Sequence, residues 1–182
     1  MRKKDETLRE TLLDCARVIT DAEGPEAINI RVIARQAGVS IGTVYNYFSN
    51  KDDMLLALTE EYWKKTLSEM FEEVTAGSFY GQLEEMFTFL SRRIHSSAGI
   101  LMRSLSNIEV VGRDRMQSMQ EALKENIIQR MRLDNNVRVD IWNETFTKEQ
   151  YAHFIIMNMM LHLQMKASTF EFFIEIVKRT IY

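Results

Sequence analysis

The sequence predicts an all-α chain of about nine helices, three short ones at the N-terminus and a larger helical part beyond, and three observations carry this. One Pro and seven Gly in 182 residues supply too few tight turns for a sandwich or barrel. Apolar residues recur at spacings of three and four along most of the chain. Ser, Thr and Asn stand just ahead of several of these stretches, where a helix start needs side-chain acceptors.

Leu8, Leu12, Ala16 and Ile19 form one stripe over residues 5–22, which Gly24-Pro25 ends. Asn29 caps a second helix over about 30–37, with Ile30, Ile33 and Ala34 as its buried face. Gly38 stops it. Ser40 caps a third helix that runs through Phe48, and Asn50 caps a fourth with Asp53 three residues on. The fourth reads from Lys51 to about Val74, with Leu56, Trp63, Leu67, Met70 and Val74 on one stripe. Further stripes follow at Leu83–Met86–Phe87–Leu90–Ile94, at Ile100 to Leu105, and at Met116–Met119–Leu123–Ile127–Met131. Residues 133–146 read as an extended linker. Thr147 and Gln150 then form a capping box ahead of 148–166, a segment with almost no polar face, and the last helix is Phe170 to Ile181.

Composition narrows the class of protein. A single cysteine, Cys15, forms no internal disulfide and has no second thiol to resolve with, so core packing is its expected role. The charged N-terminal residues carry no apolar signal core, and the expected location is cytoplasmic. Segment 148–166 is too short and too interrupted by His153, Asn158, His162 and Gln164 to span a membrane. Its second apolar face therefore calls for another subunit. The net charge of −3 lies wholly in residues 51–182, because residues 1–50 hold seven basic and seven acidic side chains. The local field decides binding, so the overall sign does not exclude nucleic acid.

Residues 30–48, IRVIARQAGVSIGTVYNYF, hold the informative constellation. A first helix held by Ile33 and Ala34, a Gly at the turn, an apolar plug at Val39 and a second helix with Val44 and Phe48 inward are the parts of a DNA-reading helix-turn-helix. Ser40 heads that second helix. Ile41, Gly42, Thr43, Tyr45, Asn46 and Tyr47 are left for a groove and its phosphate walls, and Gly42 removes a side chain where backbone and base edges must meet. Asn46 suits adenine, Arg31 a guanine edge or phosphate, and Ile41 and Thr43 a thymine methyl. Lys51, at the start of the fourth helix, suits a phosphate, and Lys3 and Lys4 add charge that can follow the backbone. A three-helix structural module explains Val44 and Phe48 but gives no reason for Gly42, two tyrosines and Lys51 together.

From Leu12 to about Leu58 these residues resemble the DNA-binding domain of the tetracycline-repressor (TetR) family. The match runs through Gly24, Ala27, Arg31, Ile33-Ala34, Ala37-Gly38-Val39-Ser40, Gly42-Thr43-Val44-Tyr45-Asn46-Tyr47-Phe48 and Lys51 without gaps. The resemblance implies a helix-turn-helix domain at 1–50 and a C-terminal effector-binding and dimerisation domain at 51–182. It implies a homodimer on a palindromic operator in double-stranded DNA, released by a small molecule. Arg31, Ile41, Gly42, Thr43 and Asn46 match positions near bases, and Asn29, Tyr45, Tyr47 and Lys51 match positions that hold phosphate. Thr20, Pro25, Ile28-Asn29 and Val32 depart from the family pattern, the first three in ways that touch local packing and capping.

The rest of the chain yields coarser expectations. Twelve Met supply flexible, polarizable walls, and the candidate wall of an effector pocket is Trp63, Met70, Met86, Phe87, Met102, Met116, Phe154 and Met157. Ordinary core packing explains each of them as well. Asn158, His162, Phe172, Phe173 and Ile176 are the candidate dimer contacts. His153 and His162 lie nine apart, on opposite sides of one helix, so no metal is expected. Adjacent acids such as Glu60-Glu61 and Glu84-Glu85 diverge, read as solvated faces and form no acid/base pair. No cofactor and no catalysis are expected. Two other readings stay open: a regulator answering to a protein partner, or an activator, without a small-molecule pocket; and, more remotely, a helical enzyme acting on a lipophilic substrate.

Overall fold

The computed structural model describes residues 5–94, 111–165, 167 and 169–182, without the side chains of Ile94 and of 111–119. Among the described residues the chain is all-helical: α1 (Glu6–Glu23), a 3-10 turn (Pro25–Ala27), α2 (Ile30–Gln36), α3 (Ile41–Tyr47), α4 (Lys51–Glu73), α5 (Phe79–Ile94), α6 (Val111–Leu133), α7 (Lys148–Gln164) and α8 (Glu171–Ile181). The expected stripe at Ile100 to Leu105 lies outside the described residues. Contacts divide the described residues into two compact units, one holding residues 5–64 and the other 65–94 with the chain from 117 on, so the division falls within α4.

In the first unit, Asp5 opens α1 by accepting from the N–H groups of Thr7 (3.0 Å) and Leu8 (3.4 Å). Gly24 ends it at φ 88°, a conformation that a Cβ disfavours, and Pro25 sits buried at the first position of the 3-10 turn. That short turn is not legible in the residue spacing. Leu12, Leu13, Ala16, Ile33, Ala34, Val44, Phe48, Met54 and Leu58 make one core at 0–2% exposure. Cys15 packs against it half-buried, and burial pushes its thiol up from the usual range. Thr20 stays in the core because its hydroxyl donates to the Ala16 carbonyl at 2.9 Å.

Two of the acids take structural work. Glu61 on α4 accepts from Arg17 at 2.8 Å and lies 3.7 Å from Arg9, both on α1, while Glu85 accepts from the N–H groups of Thr75 (2.8 Å) and Ala76 (3.0 Å) after α4. The solvated role expected of these acids is corrected at both positions: one holds two helices together, and the other satisfies the chain as it leaves a helix.

In the second unit the linker between α6 and α7 is a series of turns with one isolated bridge, Asn143 to Phe146, and the capping box at Thr147 and Gln150 forms. Asp134 ties three elements: its carboxylate accepts from Phe79 N–H at the start of α5 (2.8 Å), from Asn136 N–H (2.9 Å) and from the Tyr182 hydroxyl beyond α8. Burial pushes this carboxyl up, but the hydrogen bonds from Tyr182, Phe79 and Asn136 outweigh it and hold it below the usual range. A depressed carboxyl stabilises the fold above its unfolded value and loses that contribution as pH falls through the folded one. Asp134→Asn is expected to cost about 1–2 kcal/mol at pH 7. Denaturation midpoints taken at successive pH values should show the gap to the unmodified chain closing below about pH 4.

Candidate nucleic-acid interface

The turn between α2 and α3 is built by glycine. Gly38 takes φ 68°, its N–H reaches the Arg35 carbonyl (3.3 Å), and the Val39 N–H reaches that of Ala34 (2.9 Å). This double closure ends α2 and swings the chain into α3. Val39 is half-buried against the core as the plug. Asn29 caps α2 by accepting from Arg31 N–H at 2.9 Å. Ser40 caps α3 by accepting from Thr43 N–H at 3.0 Å and shares a 2.8 Å hydrogen bond with the Thr43 hydroxyl. Ser40 therefore acts first on the helix itself.

Helix α3 has two unlike sides. Val44 is fully buried and Phe48 is 2% exposed, while Ile41 is 42% and Tyr45 52% exposed, with Gly42 and Asn46 open beside them. Gly42 has ordinary helical backbone, and a Cβ there would meet only the Ser40 hydroxyl at 3.7 Å. The chain itself leaves room for a side chain at this position. Arg31 and Arg35 are exposed on α2, and residues 27–51 contain Arg31, Arg35 and Lys51 without one Asp or Glu. The chain's overall negative charge is thus absent from its helix-turn-helix.

Besides Asn29, two more of the expected phosphate contacts have partners inside the chain. The Lys51 ammonium donates to the Glu26 carbonyl at 2.8 Å and lies 3.6 Å from its carboxylate, which staples the 3-10 turn to α4 and leaves further N–H donors on the same nitrogen. The Tyr47 hydroxyl accepts from Asp5 N–H at 3.1 Å, tying α3 to the start of α1. Sequence reasoning missed both links, because neither partner lies within a helical turn. Lys3 and Lys4 lie outside the described residues.

The C-terminal candidates separate. Trp63, Met70, Met86 and Phe87 are buried at 0–7% exposure, while Phe154 (41%) and Met157 (52%) are surface side chains. Met102 and the Met116 side chain lie outside the described residues. Three clefts in the second unit measure about 430, 180 and 420 Å³; of the candidates only Met157 lines the second and Phe154 the third. Phe173 is 2% exposed and packs on Phe170 and Phe154 in its own chain, so it leaves the set of candidate dimer contacts. Asn158 donates to the Phe154 carbonyl (2.8 Å) and His162 Nδ1 lies 2.7 Å from the Asn158 carbonyl, while the His162 ring packs on Phe170 and Phe173. Phe172, at 79% exposed, and half-buried Ile176 remain outward, joined by Leu161 and Met165. No group of three or more metal-ligating side chains occurs, and no helix is long and apolar enough to cross a membrane, among the described residues.

This geometry defines a helix-turn-helix module of the kind that reads duplex DNA. Residues 12–58 match the family model described as bacterial regulatory proteins, tetR family. The chain is 35% identical over 63 residues to a fatty acid metabolism regulator protein of Bacillus subtilis, a match covering 35% of this chain and 32% of that protein. It is 32% identical over 85 residues to the HTH-type transcriptional repressor KstR of Mycolicibacterium smegmatis, covering 46% and 42%. The matched part thus spans about a third to two fifths of these relatives' lengths. The fold is similar to that of the transcriptional regulator FadR from Bacillus subtilis in complex with stearoyl-CoA, with a TM-score of 0.54, 20% identity and coverage of 85% of this chain and 84% of that one.

Proposed function

We propose that the chain is a ligand-responsive repressor that occupies a palindromic operator as a homodimer, with α3 in the major groove. The observation that carries this is the acid-free helix-turn-helix, in which Ile41, Gly42, Tyr45 and Asn46 face outward over a core that already satisfies Val44 and Phe48. Ile41 and Thr43 contact thymine methyls, Asn46 pairs with adenine and Arg31 reads guanine or holds phosphate. Asn29, Ser40, Tyr45, Tyr47 and Lys51 position the head on the backbone. One head carries few base contacts at about 1–3 kcal/mol each, so two are needed for a tight specific site.

The effector is a small, largely apolar molecule. The stearoyl-CoA in the FadR structure and the fatty acid metabolism regulator among the relatives support an acyl chain as its type. Among the described residues the buried Trp63 indole N–H has no hydrogen-bond partner, a donor that a carbonyl oxygen of the effector satisfies. Ligand releases DNA only by as much as it prefers the non-binding state over the binding one.

Selection from random duplexes with the full chain tests the reading. One two-fold sequence should be enriched, with half-sites about one DNA turn apart, and its affinity should fall steeply with salt. Equal attachment to every duplex, indifferent to salt, would overturn it.

A further inference from the structure

Glu26 holds Lys51 in two ways that do different things. The ammonium donates to the Glu26 carbonyl at 2.8 Å, and that carbonyl is fixed, because Glu26 sits in the 3-10 turn between buried Pro25 and buried Ile28. The Glu26 carboxylate lies 3.6 Å from the same nitrogen on a side chain that is 86% exposed. The main chain places the ammonium; the carboxylate adds charge.

A separation of 3.6 Å is too long for a hydrogen bond, so the carboxylate occupies none of the ammonium's three N–H donors. One goes to the carbonyl and two remain. On the proposed complex these two reach a phosphate. Carboxylate and phosphate are both oxyanions, and the second to approach one ammonium gains less while the first stays beside it, because the two anions repel. The acid-free stretch 27–51 starts directly after Glu26, so this acid closes it on the N-terminal side and faces one of its three cations.

We infer that Glu26 is an internal stand-in for DNA phosphate, which competes for Lys51 and sets the affinity of the head for every duplex without a part in choosing the sequence. It is a positioning residue that acts through Lys51. When phosphate arrives, the exposed carboxylate turns to water and the carbonyl keeps the ammonium in place. This rests on the DNA complex proposed above and names a group that tunes it.

Fluorescence-anisotropy titration of the full chain with the selected duplex and with a random one, at several salt concentrations, tests it. Exposed ion pairs change an equilibrium by up to about five-fold, and two heads carry the change, so Glu26→Gln should tighten binding by about 3- to 20-fold at low salt. The gain should be similar on both duplexes, because a phosphate contact carries no sequence information. The dependence of log affinity on log salt should steepen by up to about two, since the freed carboxylate no longer takes up a cation as each phosphate loses one. In a Lys51→Met background, which keeps the stem and removes the charge, the same substitution should change binding by less than about two-fold, because the carboxylate then repels phosphate only through solvent. The denaturation midpoint should not move with Glu26→Gln, since the carbonyl link stays and an exposed pair contributes little. Equal gain with and without the Lys51 charge, gain on the selected duplex alone, or no gain while the unmodified chain still binds the selected duplex in a salt-dependent way would each overturn the role of Glu26 and leave the DNA complex standing. Salt-indifferent attachment of the unmodified chain to every duplex would overturn the complex and this role together.

Discussion

Replacing Gly42 by leucine should leave the chain folded, and slightly more stable, while DNA binding falls by about 10²- to 10⁴-fold. The two effects have opposite signs because they have different causes. Gly42 lies in the first turn of α3 with ordinary helical backbone, and an added Cβ meets only the Ser40 hydroxyl at 3.7 Å. A helix gains up to about 1 kcal/mol when a glycine is replaced by a side chain that fits. On the proposed complex, the same side chain fills the space in which the start of α3 meets the base edges. It holds Ile41, Thr43 and Asn46 away from the groove, and each lost base contact costs about 1–3 kcal/mol. Both protomers carry the change, so the loss counts twice. Denaturation midpoints set beside titrations with the selected duplex separate the terms. Unchanged binding by the Gly42→Leu variant would mean that α3 does not enter the groove at this end.

Much of the head is legible in the sequence because its rules are local. Gly38 as the turn, Ser40 and Asn29 as caps, and Val44 and Phe48 as the inward pair each follow from conformational preference or helical spacing over a few residues. The links from Lys51 to Glu26 and from Tyr47 to Asp5 are not legible, since partners 25 and 42 residues apart carry no periodic signal. Glu61 shows the same limit: an acid on a helix reads as solvated until the arginines of α1 are placed beside it.

The C-terminal part is less legible for a further reason. In α7 ten of the thirteen residues from Tyr151 to Leu163 are apolar, so the hydrophobic pattern has almost no phase and does not say which side faces the core. The structure buries Tyr151, Ala152, Ile155, Ile156, Met159 and Leu163 and leaves Phe154, Met157, Leu161 and Met165 outside. That is why residue type assigns Phe154 and Met157 to a pocket while the structure sets them on the surface. Helix α8 has a clearer phase, yet Phe172 and Phe173 are neighbours with opposite fates, and residue type alone does not tell them apart.

Phe48→Ala should abolish DNA binding by a route that never touches the groove. Phe48 is 2% exposed at the end of α3, in the core with Leu12, Leu13, Ile33, Val44, Met54 and Leu58, and the Arg9 guanidinium lies 5.7 Å from its ring centre. Truncating a buried Phe costs about 3–5 kcal/mol, part from lost transfer energy and part from the cavity left behind. A core built from α1 to α3 and the start of α4 is small, and one of that size holds only about 3–5 kcal/mol of stability in total. The substitution therefore removes most or all of it. Helical signal should drop by the share of the head while α5, α7 and α8 persist, because none of their buried residues belongs to this core. Denaturation followed by Trp142 fluorescence in a Trp63→Phe background, since Trp63 lies in the first unit and Trp142 in the second, and by far-ultraviolet circular dichroism distinguishes loss of one unit from loss of both. Phe48→Leu, which keeps most of the volume, should restore the head and with it DNA binding. If Phe48→Ala keeps full affinity for the selected duplex, the ring does not support α3, and the account of how the reading surface is held in place fails.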